Sequence, residues 1–192
     1  MSTFQFHQQK RPLNFLNPCG FFKIRSVDHK EKKKQILDIA YDYERPIPDP
    51  VYPKSIVSNS DYEDHVIDTM WARIVFCPKT VDALKKKIEK YYGNYHPDIV
   101  GSWVAQYYAK SNSEHLRHNH GGGNIPVNMC CIYYVDLPKR RLSTKFFHND
   151  KLYSPRVREG DILFFDSFTD HYSPPNNTNK DKTIVSCNFL VR

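Results

Sequence analysis

Three histidines fall within six residues of HLRHNHGGGN, at positions 115, 118 and 120. Neutral imidazole is a good ligand for iron, zinc, copper and nickel. In an extended 115–120 segment side chains alternate between faces. His118 and His120 then share one face, with Arg117 and Asn119 on the other. Two imidazoles at i and i+2 can close on one metal ion; His115 has the wrong parity for the same site and is left out. A third ligand must come from elsewhere, and His171 in DILFFDSFTDHYSPP stands just past an apolar run, where a barrel rim would be. Asp170 beside it is the carboxylate to consider if an imidazole fails. The glycines after His120 let the chain turn sharply and leave an uncrowded mouth. A bare His-x-His is also an ordinary surface occurrence. His7, His29, His65, His96 and His148 lack partners and read as surface or core residues.

The elements that would carry this site change character near Gly101. Before it, Asp28 and Glu31 can form a capping box, and Ile36, Leu37, Ala40 and Tyr43 recur at helical spacing. The prolines of ERPIPDPVYPK should end that helix. A second helix is expected from Thr80, with Val81, Leu84, Ile88 and Tyr91 as its apolar stripe and Gly93 as its stop. After Gly101, WVAQYYA, MCCIYYVD, TKFFH, DILFFD and TIVSCNFLV alternate with polar breaks. Short β-branched and aromatic runs at this spacing predict a barrel or two-sheet sandwich. The expectation is one domain over 1–192, mostly β with flanking α. Residues 1–100 form helical or irregular support, residues 101–192 a jelly-roll core, and 44–66 part of a lid.

Composition sets the outer limits. A chain of 192 residues can bury a real core, and 13 Tyr with 12 Phe lean it towards sheet. No apolar run approaches the ~20 residues of a membrane span, and MSTFQFHQQKRPLNF lacks an apolar signal core. Five cysteines, two of them adjacent and none in a CxxC, argue against a disulfide framework or a cysteine zinc site. A reducing, cytoplasmic setting is the default expectation. The formal charge of +7 is compatible with nucleic acid, an anionic metabolite or an acidic protein segment. Its densest run, KEKKKQ, reads as a solvated helix face, so nucleic acid is not favoured.

Read together, WVAQYY…HLRHNH…CCIYYVD…GDILFFDSFTDHYSPP…DKTIVSCNF resembles the iron(II)- and 2-oxoglutarate-dependent oxygenases, and most of all their prolyl-hydroxylase branch and small relatives of it. The resemblance covers residues 101–192. It implies a double-stranded β-helix core, Fe(II) and 2-oxoglutarate as cofactors, and His118, His120 and His171 as metal ligands and catalytic centre. His120 stands where the family usually has Asp. Tyr107 and Tyr134 match tyrosines that approach 2-oxoglutarate, and Lys182 takes the place of the arginine that binds its far carboxylate. Lysine offers a point charge where arginine offers a bidentate fork. On a strand, Lys182 shares a face with Ile184, Ser186 and Asn188. Tyr108, Tyr133 and Phe165 read as sheet packing.

The implied activity is hydroxylation of a C–H bond in a peptide, a protein side chain or a small molecule. With His120 in place of Asp, two other readings stand beside it: a three-histidine iron dioxygenase that needs no 2-oxo acid, as in thiol dioxygenases, and a non-catalytic jelly-roll binding protein.

Overall fold

The computed structural model describes residues 21–42, 56–58, 70–93, 96–121 and 127–192. Its ten strands and three helices run in the order β1 (Phe22–Arg25), α1 (His29–Asp42), β2 (Ile56–Ser58), α2 (Met70–Val75), α3 (Pro78–Tyr92), β3 (Pro97–Tyr107), β4 (His115–His118), β5 (Met129–Asp136), β6 (Lys145–His148), β7 (Lys151–Tyr153), β8 (Asp161–Asp166), β9 (His171–Ser173) and β10 (Lys182–Val191). The major sheet has the order β1-β8-β5-β10-β3-β2 and the minor sheet β4-β9-β6-β7. Every pairing is antiparallel. This is the expected jelly-roll architecture.

The alternation of side chains explains why the strands of the major sheet are apolar throughout: both of its faces are covered. On β5, Cys131, Tyr133 and Val135 face the helices and pack with Ile36, Ala40, Trp71, Val75, Leu84 and Ile88. Cys130, Ile132 and Tyr134 face the minor sheet and pack with Tyr107, Phe146, Leu163, Phe165 and Ile184. Phe164 anchors the helix-side core: it is fully buried and stacked on Phe22 at 4.6 Å. Phe164→Ala should therefore cost about 3–5 kcal/mol. Urea denaturation measures that loss, and the folded fraction should keep its metal affinity, because Phe164 faces away from the histidines.

The N-terminal half does more than brace a barrel. β1 and β2 form the two outer strands of the major sheet, and β3 begins at Pro97. α2 carries no clear amphipathic signal in the sequence, yet Trp71, Ala72 and Val75 are buried. The expected helices are otherwise present. α3 starts at Pro78 and ends at Gly93, whose φ of 83° lets its N–H reach the Glu89 carbonyl. α1 opens differently from a capping box: Asp28 adopts φ 57°, and its carbonyl accepts the Lys32 N–H at 3.1 Å. Lys32, expected on a solvated face, is buried and donates to the Val75 carbonyl (2.9 Å) and Thr80 Oγ1 (3.0 Å), tying α1 to the start of α3. His29 is partnered as well, bonding the Tyr133 hydroxyl at 2.6 Å. Most of 44–66, the expected lid, lies outside the described residues. Among them no helix is long and apolar enough to cross a membrane, and Cys77, Cys130, Cys131 and Cys187 are free thiols.

Candidate metal centre

The minor sheet brings the histidines together. His118 on β4 and His171 on β9 are direct partners across the ladder, and their rings lie 4.2 Å apart. The chain leaves β4 at His118, so His120 is not on the strand. A turn holds it instead: Asn119 Oδ1 accepts the Gly121 N–H at 3.2 Å, and the His120 N–H reaches the Ser167 carbonyl at 2.8 Å. The turn is tight because the Phe168 ring lies against Gly121, where a Cβ would come within 2.2 Å of it. His118 and His120 do come together, but through this turn and not through a shared strand face. One ligating nitrogen from each of His118, His120 and His171 lies within 4.8 Å of the others.

Two of the three rings have their tautomer fixed. His118 Nδ1 lies 2.7 Å from the Leu116 carbonyl and His171 Nδ1 lies 2.9 Å from the Thr169 carbonyl. A carbonyl can only accept, so both Nδ1 atoms carry the proton and both Nε2 atoms present a lone pair. Burial pushes the His120 imidazole down to about 3 and holds His171 well below the usual imidazole value; crowding by the neighbouring imidazoles acts in the same sense on both. Neutral rings are what a cation requires.

His115 stays outside the ligand cluster, but its parity is corrected by the structure. Three residues of β4, from His115 to His118, oppose two of β9, from Ser173 to His171. This bulge reverses the parity and puts the His115 ring against His118 at 4.2 Å. Asp170 is turned away from the histidines. Its carboxylate takes Arg117 at 2.7 Å and Asn119 at 2.8 Å, and these two bonds hold it below the usual carboxylate range.

A narrow cleft opens from the histidines between the two sheets, lined among others by Trp103, Tyr107, Thr144, Ser173, Ile184 and Ser186. Lys182 lies behind its wall, against the lining residues Ser173 and Tyr107. The lysine is fully buried, donates to Ser173 Oγ and lies 4.3 Å over the Tyr107 ring. Among the described residues no carboxylate pairs with it. Desolvation, helped by Lys145, pushes its ammonium down to about 7. The Tyr134 and Thr144 hydroxyls are close to each other and buried, yet neither has a hydrogen-bond partner of ordinary geometry. Desolvation raises both Tyr107, to about 12, and Tyr134, so both phenols stay protonated and can donate. Thr144, Ser173 and Trp103 were not among the residues singled out. Ser173 was legible, being two residues beyond His171 on a strand. Trp103 was too, sharing its parity with Tyr107.

No protein-family model and no curated protein matches this sequence. Solved structures do match. A prolyl hydroxylase from Trichoplax adhaerens, in complex with a hypoxia inducible factor peptide fragment, aligns with a TM-score of 0.60 at 16% identity, covering 93% of this chain and 87% of that one. A Pseudomonas putida prolyl-4-hydroxylase aligns with a TM-score of 0.61 at 10% identity, over 91% and 94%. The fold is that of the 2-oxoglutarate- and iron(II)-dependent oxygenases. HygX from Streptomyces hygroscopicus, solved with nickel and 2-oxoglutarate bound, shares this oxygenase fold with a TM-score of 0.60 at 13% identity, over 90% and 83%. In this fold the three histidines line one cleft, and Lys182 lies behind it against Ser173 and Tyr107.

Proposed function

We propose that this chain is an iron(II)- and 2-oxoglutarate-dependent oxygenase that hydroxylates a C–H bond of a peptide, protein side chain or small molecule. The observation that carries the reading is the buried Lys182, with no carboxylate partner among the described residues, which lies against Ser173 and Tyr107, two residues that line the same cleft as the histidines. A buried ammonium without a counter-charge is costly, and the unpartnered Tyr134 and Thr144 hydroxyls add two more polar groups that an incoming carboxylate would satisfy. The donor set fits the metal equally well: three neutral nitrogens, two with their lone pairs fixed, suit Fe(II).

His118, His120 and His171 would hold the iron. Iron and 2-oxoglutarate, when bound, supply the oxidising chemistry: dioxygen is consumed, the 2-oxo acid leaves as succinate and carbon dioxide, and one oxygen atom enters the substrate C–H bond. The chain supplies orientation and exclusion of water. Lys182 would neutralise the far carboxylate of the cosubstrate, with Tyr107, Tyr134, Thr144 and Ser173 around it. Ile132, Ile184 and Ala105 form apolar walls of the cleft. Trp103, whose ring lies 5.5 Å from that of His120, would shield the metal on the side away from Lys182. The peptide held by the Trichoplax hydroxylase supports a peptide or protein substrate.

One observation favours a second reading. With His120 where an anionic ligand is usual, the ion keeps its full charge, as in a three-histidine dioxygenase working without a 2-oxo acid. Succinate release from 2-oxoglutarate, measured with Fe(II) and oxygen, separates the readings. The expected result is slow succinate formation without substrate, lost in His171→Ala. Oxygen uptake on a thiol without 2-oxoglutarate would support the second reading, and neither activity would leave a non-catalytic binder.

A further inference from the structure

The three ligand-bearing segments converge on one carboxylate outside the metal site. Asp170 precedes His171. Its Oδ2 accepts from Arg117 at 2.7 and 2.9 Å, and Arg117 precedes His118. Its Oδ1 accepts from Asn119 Nδ2 at 2.8 Å. Asn119 lies between His118 and His120, and its own Oδ1 caps the turn through the Gly121 N–H. The Arg117 guanidinium is braced in addition, 4.0 Å above the Phe147 ring, and the Asp170 carbonyl accepts the Phe147 N–H at 2.8 Å. Each histidine therefore sits next to a residue that Asp170 holds or to Asp170 itself.

We propose that Asp170 is a positioning residue that presets the metal site, clamping the β4 end and the His120 turn to β9 from the outside. The inference rests on the metal-centre reading above. Its physical content is preorganisation. β4 is a four-residue edge strand that ends at His118, and nothing in its ladder fixes His120. The His120 N–H bond to the Ser167 carbonyl also holds the turn, but without the clamp more of the ordering of this segment would fall to the ion, and that cost would appear in metal affinity. Outer partners of metal ligands commonly carry such an effect, whereas a partly exposed ion pair contributes little to global stability. The two roles can thus be separated.

Co(II) alone is the probe, titrated anaerobically into the parent, Asp170→Ala, Asp170→Asn and Arg117→Ala, with melting curves alongside. Asp170→Ala should melt cooperatively near the parent and bind Co(II) about ten-fold more weakly, with a shifted ligand-field spectrum. Asp170→Asn, which keeps an oxygen acceptor, should recover part of the affinity. Arg117→Ala combined with Asp170→Ala should be no weaker than Asp170→Ala, because both remove the same contact. If Asp170→Ala does not fold, Arg117→Ala and Asn119→Ala are read instead and should each weaken Co(II). Parent-like affinity and spectrum in the folded clamp variants would overturn the proposal, and so would unchanged affinity in Arg117→Ala, the result expected if Asp170 itself ligated the ion. Failure of the parent to bind Co(II) would overturn the metal-centre reading, and this one with it.

Discussion

Replacing any one of His118, His120 or His171 with alanine should abolish stoichiometric metal binding. The parent is expected to take up one equivalent of Fe(II), or of Mn(II) or Ni(II) in its place, under anaerobic titration. Loss of a ligand should exceed the 10–100-fold penalty that follows loss of an outer partner, because two imidazoles from this set cannot hold a labile divalent ion against water. The effect should not come from unfolding. His118 and His171 sit on a short two-strand contact in the minor sheet, away from the helix-side core around Phe164. His120 is the informative position. His120→Asp restores the anionic ligand usual in the family and should lower the Fe(III)/Fe(II) reduction potential, since a negative donor favours the higher charge. One equivalent bound by His120→Ala at parent affinity would remove His120 from the triad.

Lys182→Ala should weaken 2-oxoglutarate binding by about ten-fold or more. A charge-assisted hydrogen bond contributes ~1.5–3 kcal/mol, at 1.4 kcal/mol per decade. Calorimetry with Mn(II), oxygen excluded, measures it; Lys182→Arg should keep part of the affinity and metal binding should be unchanged in both. The same residue predicts a pH signature. Burial pushes its ammonium down to about 7, so above that pH the free protein holds Lys182 neutral, while a bound carboxylate demands the charged form. Binding should then take up a proton, and affinity should fall as pH rises from 7 to 9. Buffers of different ionisation enthalpy read the proton directly. Stability of the free protein runs the other way. Between about 7 and the ordinary lysine value the unfolded chain binds the proton and the folded chain does not, so stability should rise with pH across that window. Lys182→Met should flatten that rise. Equal 2-oxoglutarate affinity in the parent and Lys182→Ala would take this residue out of the site.

The strands were legible because continuous apolar, β-branched and aromatic runs such as MCCIYYVD and DILFFD are cleanly bounded; β5 and β8 coincide with them. The histidine triad was legible from spacing and order. What the sequence hid was set by tertiary contacts. The β4 bulge that aligns His115 with His118 leaves no mark in HLRHNH. Lys32 looks like any other lysine of KEKKKQ, and only the Val75 carbonyl and Thr80 hydroxyl make burial tolerable there. β1 is four residues long, and its partner β8 lies about 140 positions away along the chain. No local pattern could have joined them. Asp170 was read as a reserve ligand because its partners, Arg117 and Asn119, are distant in sequence.

The strand order of the major sheet has a consequence for synthesis on the ribosome. β10 lies between β5 and β3, and it is the last of the six to be translated. Until residues 182–191 emerge, the β1-β8-β5 ribbon and the β3-β2 pair have no strand to join them. Each presents an open edge of unpaired backbone groups flanked by apolar side chains, the kind of surface that recruits foreign strands. Shielding these edges until β10 is inserted would keep the nascent chain from pairing with them wrongly. Lys182, at the start of β10, reaches its place behind the cleft with that same strand.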